Sequence, residues 1–367
     1  MMATVKPYDT AKGTRYRVRY RTPEGRQTDK RGFATKAAAE TFANVVEVDK
    51  LEGRYVAPAA GLLTVGHLAQ DWYDSKIDVK PSSLERYRQT LEQQVLPRWH
   101  NVNVAKVTAP ALQAWINELS RDRAPSTVKK AHHAMSMILD VAVRDRRIAA
   151  NPASGINLPR ARHDEPTFLT REQLFTLAEK AGAGELVVLT LGFTGLRWGE
   201  MAALKVRRWD GGRRRLTVAE SVTEINGTLN WGTPKTHATR TVPVPTWLAE
   251  RITETTVGKG PDDLLFSTQS GGVLRNKNAR RDWFDQAVVD ARLPRVTPHD
   301  LRHTAASIAI SVGANVKAVQ RMLGHASAAM TLDLYAGLFE DDLNDVADRI
   351  EGPPRADVVT LRVVNSD

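Results

Sequence analysis

Hydrophobic and polar residues alternate strictly over Thr14-Arg15-Tyr16-Arg17-Val18-Arg19-Tyr20-Arg21. That period predicts a strand with Tyr16, Val18 and Tyr20 on one face and Arg15, Arg17, Arg19 and Arg21 on the other. Pro23-Glu24-Gly25 predicts a turn, and residues 26–33 a return strand that begins at Arg26. A helix is expected from Thr35 to about Gly53, with Ala38, Phe42, Val45, Val46 and Leu51 on its apolar face. The expectation for residues 1–57 is a three-stranded sheet plus one helix, with arginines on the free face of the sheet.

Pro and Gly punctuate Tyr55 to Leu63, which reads as a linker. From Thr64 the period becomes helical, with helices expected over 65–76, 82–95, 109–119 and 126–144. Thr64, Ser82 after Pro81 and Ser126 after Pro125 stand as cap-like openings. Four helices in so short a stretch imply a compact bundle over 64–155. A second breaker-rich linker, 151–166, leads to Thr170-Arg171-Glu172-Gln173, a capping box. A strongly apolar helix over 185–193 stops at Thr194-Gly195. A small β-region follows: 214–224, a turn at Asn226-Gly227, 228–232 and 240–244. Helices are expected again over 246–257, 276–292 and 298–312, and on both sides of His325. The domain so outlined is 165–351, α+β in character. Residues 352–367 form a tail whose 357–364 reads as a strand. The whole is multidomain, mainly α with small β-sheets.

Charge sharpens this division. The net charge is +10, which suggests a polyanionic partner. Residues 1–57 carry twelve Lys/Arg against seven Asp/Glu, and residues 64–162 fifteen against nine. Everything after 162 carries twenty-five against twenty-six, partly because the stretch from Glu340 is acidic. Two basic modules therefore precede a near-neutral one. Arg15, Arg17, Arg19, Arg21 and Arg26 on a sheet fit a reader of the DNA major groove; lysine and arginine also protect sheet edges from pairing. In the bundle, Ser83, Arg86, Tyr87 and Arg88, then Thr127, Lys129, Lys130, His132 and His133, fit either a phosphate grip or an exposed polar face. The longest apolar run, 186–193, is too short to span a bilayer, and Met1 to Lys6 shows no signal-peptide core. Cys 0 excludes disulfides and thiolate zinc sites and fits a reducing cytoplasm.

Candidate chemistry concentrates in Thr297 to Tyr335. Thr297-Pro298 predicts a helix start that sets His299, Arg302 and His303 at i, i+3 and i+4. Gly313 and Gly324 read as helix ends, so His325 begins a new turn and Tyr335 follows ten positions on. A phenol is ionised to only about one part in a thousand at pH 7 and makes a poor nucleophile without cationic or proton-accepting neighbours. Arg197, Arg302, His299 and His325 would supply them if the fold brings them together. Two guanidiniums fork onto a phosphodiester, and Lys235, held out on a hairpin, suits a general acid. Each residue also has a plainer reading: Tyr335 as a core aromatic, Arg197 with Glu200 as a helix ion pair, His299 with His303 as part of a metal site that lacks its Glu.

The ordered set T-G-L-R-W-G-E at 194–200, Lys235, H-D-L-R-H-T at 299–304, L-G-H at 323–325 and Tyr335 in T-L-D-L-Y resembles the tyrosine recombinase family, phage-type integrases in particular. The resemblance spans about 64–350. It implies Arg197 and Arg302 as phosphate clamp, Lys235 as general acid, Tyr335 as nucleophile, and His299 and His325 in proton transfer and phosphate binding. Glu200 and His303 would support them from behind. It also implies strand cleavage and rejoining through a 3′-phosphotyrosine, with no metal, ATP or other cofactor. Double-stranded DNA would be bound at core-type sites by 64–155 and at arm-type sites by 1–57. A homotetramer on DNA, a host DNA-bending protein, an excisionase and a bacterial cytoplasmic setting follow from the same resemblance. The tail would pack on a neighbouring protomer or fold back on its own domain. A type IB topoisomerase-like relaxing enzyme and a non-catalytic DNA-binding regulator are the rival expectations.

Overall fold

The computed structural model describes residues 3–11, 13–23, 25–53, 55–57, 60–160, 167–234 and 239–335. Lys235, the expected tail strand and everything after Tyr335 lie outside the described residues. The chain divides into two compact units, 1–163 and 164–367. Residues 1–57 and 64–155, expected as separate domains, thus fall in one unit, although each has its own core.

In the first unit, β1 (Thr4–Thr10), β2 (Gly13–Arg21) and β3 (Gln27–Phe33) form an antiparallel sheet in the order β1-β2-β3. The alternation in β2 puts Val18 and Tyr20 at 0% and 2% exposure, against α1 (Lys36–Leu51). Thr35 caps α1 by accepting from the Ala38 N–H. The buried stripe of α1 is Ala39, Ala43 and Val46, with Phe42 half-buried; Val45 and Leu51 are exposed, and so is Ala38. The buried stripe is therefore offset from the expected face, keeping Phe42 and Val46 but taking Ala39 and Ala43 in place of Ala38 and Val45. Tyr55, expected to open a linker, instead closes this core and hydrogen-bonds Tyr20 hydroxyl to hydroxyl at 3.3 Å.

The helical part contains α2 (Val65–Asp74), α3 (Pro81–Thr90), α4 (Leu96–Trp99), α5 (Ala109–Asp122) and α6 (Pro125–Arg144). A π turn, Leu91–Val95, joins α3 to α4. Thr64 caps α2 as expected, whereas Pro81 and Pro125 each occupy the first helical turn, after Lys80 and Ala124. Ser82 and Ser126 therefore sit inside the helices rather than capping them, since proline's fixed φ itself starts the turn. Val65, Leu68, Trp72, Leu112, Trp115, Val128, Met135 and Ile138 are among the residues that fill the core.

The second unit opens with α7 (Arg171–Lys180), started by the full Thr170/Gln173 capping box. Next, α8 (Glu185–Thr194) is apolar around nearly its whole circumference and is buried accordingly. α9 (Trp198–Met201) follows. The strands β4 (Trp209–Asp210), β5 (Arg215–Val218), β6 (Ser221–Ile225), β7 (Thr228–Gly232) and β8 (Arg240–Pro243) make two sheets, β4-β5-β8 and β6-β7. The expected strand 214–224 is thus split between two sheets. β7 and β8, expected to pair on either side of Lys235, likewise belong to different sheets. α10 (Thr246–Glu254), α11 (Asn276–Ala279), a second π turn and α12 (Asp285–Asp290) lead to α13 (Asp300–Ser311), α14 (Val316–Leu323) and α15 (Ala328–Tyr335). α13 lies against α8 and α14, and α14 against α15 and β8.

Candidate active site

Helix α13 begins at Asp300, two residues later than Thr297-Pro298 suggests. The Thr297 N–H and hydroxyl both donate to Asp300 Oδ2, at 2.7 Å each, while the Asp300 N–H donates to the Thr297 carbonyl. Thr297 therefore fixes a tight turn ahead of the helix instead of capping it. The i, i+3, i+4 relation survives: the rings of His299 and His303 lie 5.4 Å apart, edge to face.

Arg302 sits at 2% exposure with its cation turned to the ends of two other helices. Its Nη1 donates to the Gly195 carbonyl at 2.6 Å and its Nη2 to the Leu323 carbonyl at 2.7 Å. Gly195 ends α8 and Leu323 closes α14, so these carbonyls lack helical partners and carry the negative ends of the helix dipoles. Burial, then the neighbouring Arg197, pulls the Arg302 guanidinium down to about 9, which leaves it charged at neutral pH. Gly195 holds φ +65, and a Cβ there would sit 2.5 Å from Leu323 Cδ2. Gly195→Ala is expected to cost about 1–3 kcal/mol in denaturant unfolding and to displace the carbonyl that holds Arg302. Unfolding midpoints equal to those of the parent would refute this.

Arg197 caps α9 in an unusual pairing. Its backbone N–H donates to Glu200 Oε2 at 2.9 Å and its Nη1 to Oε1 at 2.8 Å. Glu200, at 1% exposure, also receives both terminal nitrogens of Arg240, at 3.0 and 2.6 Å. Burial pushes its carboxyl upward, but the Arg240 fork and Arg197 prevail and hold it below the usual carboxylate value. Arg240 Nε reaches the Met322 carbonyl at 3.2 Å, so one arginine ties β8, the Arg197–Glu200 pair and the end of α14 together.

Past Gly324 (φ +68), His325 bonds Thr331 Oγ1 through Nδ1 at 2.9 Å. Burial, then Arg302 and Arg197, pushes its imidazole down to about 4. It is neutral at pH 7. Tyr335, the last described residue of α15, is at 1% exposure, within a cluster of Ala306, Ile310, Val319 and Leu323. Its hydroxyl lies 2.8 Å from His303 Nδ1, and its ring 6.1 Å from that of Phe168. Burial raises the phenol to about 12 even though Arg302 draws it down. The resting tyrosine is therefore less acidic than a free one. Arg197, Arg302, His325, His303 and Tyr335 interact as one cluster, with His299 exposed at its edge. Among the described residues no group of three His, Asp or Glu could hold a metal.

The profile of the Phage integrase family matches residues 170–341, and that of the phage integrase central domain residues 65–157. Tyrosine recombinase XerC of Mycobacterium leprae is 30% identical over 264 residues, covering 68% of this chain and 85% of the relative. The chain belongs to the tyrosine recombinase family. The integrase of Mycobacterium phage L5 is 27% identical over 283 residues, 75% of each chain. Among solved structures, the Tn1549 transposon integrase in complex with a circular intermediate DNA covers 78% of this recombinase and 99% of its own chain, at TM-score 0.70 and 20% identity. A lambda integrase dimer bound to a core site covers 89% and 93%, at TM-score 0.61 and 16% identity. At those identities the likeness is one of fold.

Other candidate residues of this tyrosine recombinase divide by their surroundings. Arg15 and Arg19 are half-buried and Arg26 is exposed. Arg17 faces Asp29 at 3.6 Å, and Arg21 donates to the Gly25 carbonyl. In the bundle Arg86, Lys129, Lys130 and His133 are exposed, with Ser83 and Thr127 half-buried. Arg88 is taken up by Glu85 and Glu92 on its own helix, and Tyr87 packs on Trp72. His132 holds the Ala153 carbonyl through Nε2 at 3.0 Å, tying α6 to the chain that follows it. Arg88, Tyr87 and His132 therefore do internal work that a pattern of polar residues could not reveal.

Proposed function

We propose that this tyrosine recombinase is a site-specific integrase that cuts and rejoins DNA strands through Tyr335, serving the integration and excision of a phage or related mobile element. One observation carries the proposal: Tyr335 is held beside Arg302, whose guanidinium is fixed by the ends of α8 and α14, in one cluster with Arg197 and His325. In this reading Arg197 and Arg302 take the non-bridging oxygens of the scissile phosphodiester and stabilise its added charge in the transition state. Neutral His325 donates a hydrogen bond to the same phosphate, and His299 enters from the open side. The Tyr335 oxygen attacks phosphorus, the bond to the 5′-oxygen breaks, and Lys235 protonates that leaving oxygen. A 3′-phosphotyrosine stores the bond energy, so rejoining needs neither ATP nor a metal cofactor.

The same reading assigns residues 64–155 to core-type DNA, with Ser83, Arg86, Thr127, Lys129 and Lys130 toward phosphates. Residues 1–57 take arm-type DNA through Arg15, Arg19 and Arg26. A homotetramer on the recombining sites, a host DNA-bending protein and an excisionase complete it, in a bacterial cytoplasm. Solved relatives of this fold include a lambda integrase tetramer bound to a Holliday junction, which supports the assembly. Nothing in the comparisons favours a relaxing enzyme or a non-catalytic regulator.

The test is capture of covalent adducts. Full-length protein is mixed, in EDTA, with nicked duplexes carrying a randomised core, and detergent-resistant protein–DNA species are recovered and sequenced. A defined core sequence linked at a 3′ end is expected; no adduct, or strict metal dependence, overturns the proposal. On the selected duplex, Lys235→Ala is expected to slow adduct formation by roughly 10²–10⁴-fold. A 5′-bridging phosphorothiolate, whose sulfur leaves without a proton, restores the rate if Lys235 is the acid. Failure of that rescue removes it from the role.

A further inference from the structure

We propose that His303 takes the hydroxyl proton of Tyr335 as the phenol attacks DNA, an inference that rests on the recombinase reading above. Among the described residues the Tyr335 hydroxyl has one hydrogen-bond partner, Nδ1 of His303 at 2.8 Å. Burial of the ring to 1% exposure leaves little room for water to accept the proton instead. The other imidazoles are placed for other tasks: His325 Nδ1 bonds Thr331 Oγ1, and His299 is exposed. A phenol near pKa 12 is ionised to only about one part in 10⁵ at pH 7, so an acceptor already in contact matters more here than for a free tyrosine.

The groups facing His303 keep it ready to accept. From its own helix these are His299, Asp300 and Arg302, from α15 Tyr335, from the turn before α15 His325, and the ring of Phe168 lies 6.5 Å away. Burial first, then His299 and Arg302, lowers its imidazole below the ordinary value, against Asp300. It is neutral at pH 7, and with its proton on Nε2 the Nδ1 lone pair faces the phenol. In the step, the Tyr335 O–H proton passes to Nδ1, the phenol oxygen bonds phosphorus, and the bond from phosphorus to the 5′-oxygen breaks. The resulting imidazolium returns the proton to Tyr335 when the strand is rejoined.

His303→Asn places an amide oxygen near the Nδ1 position and keeps a hydrogen-bond acceptor without basicity. Single-turnover adduct formation would be followed on the captured duplex and on its phosphorothiolate counterpart, from about pH 5 to about pH 9. The variant is expected to bind that duplex as the parent does and to form adduct roughly 10²–10⁴-fold more slowly. The phosphorothiolate should not rescue it, because the defect lies at the nucleophile. The parent rate should fall on the acid side, below about pH 6.5, as His303 gains a proton, and this limb should vanish in the variant. Parent-like rates, a retained acid limb, or rescue by the thiolate each overturn the inference. Should His303→Asn fold poorly, the His303 titration in the parent chain, followed by NMR, must match the midpoint of the acid limb; a mismatch overturns it equally. Absence of adduct in the parent protein would fail the recombinase reading itself. Adduct that is lost in Tyr335→Phe but undiminished in His303→Asn would fail only the role of His303.

Discussion

Tyr335→Phe is expected to abolish the covalent protein–DNA species while leaving the fold and DNA binding in place. The substitution removes one oxygen from a side chain whose ring is otherwise packed by Ala306, Ile310, Val319 and Leu323, with Phe168 alongside. The stability at risk is that of a single buried hydrogen bond, about 0.5–1.5 kcal/mol, and His303 keeps part of its ring exposed to find another partner. Cleavage has no such reserve. Without the hydroxyl no bond to phosphorus can form, and adduct yield should drop by roughly 10⁴–10⁶-fold, to background. Electrophoresis in detergent after incubation with the captured duplex measures it, and mobility shift checks binding. A persistent adduct would mean another nucleophile, and loss of binding would mean that Tyr335 is chiefly a structural aromatic.

The site was readable in the sequence where function leaves local marks, and hidden where distant residues complete it. Arg197, Arg302 and His325 stand out because each lies near a helix end that Gly195, Gly324 or the T-P-H-D turn announces, and Tyr335 because it follows them in order. Arg240 did not stand out, although a signal exists. It lies in phase with Val242 and Val244, both on the buried side of an alternating stretch, and a charge on that side requires a buried partner. The partner, Glu200, is forty residues away. His303 falls in phase with Ala306 and Ile310, the inward stripe of α13, yet nothing local says that α15 will return a phenol to it.

Elsewhere the misreadings share a cause. The face of α1, the split of 214–224 between two sheets and the placing of β7 and β8 in different sheets depend on packing between elements, which periodicity does not encode. Periodicity located α2, α5, α6 and α8 closely because their apolar stripes, or complete burial, are properties of the helix alone.

Glu200→Ala is expected to produce the largest loss of stability among single changes near the site. Glu200 is 1% exposed and receives four hydrogen bonds, two from Arg197 and two from Arg240. Its removal leaves Arg240, whose side chain is 10% exposed, as a buried cation with no carboxylate. Breaking a buried pair from one side costs about 3–5 kcal/mol, read as a shift in the denaturant midpoint. Arg240→Met in the same chain should recover part of that cost, since the stranded charge is then gone, so the double variant should be less damaged than the two losses added. Activity should fall with stability but not recover with it: Arg197 remains without the carboxylate that orients its guanidinium. The pH dependence follows from the direction of the Glu200 shift. Its folded pKa lies below the ordinary carboxylate value, so its contribution is full above about pH 4.5 and is lost as the pH falls through the folded value. Glu200→Gln should therefore flatten the acid limb of the stability curve in that window. A loss under about 1 kcal/mol for Glu200→Ala, or strictly additive effects with Arg240→Met, would show that the two arginines are held by something other than this carboxylate.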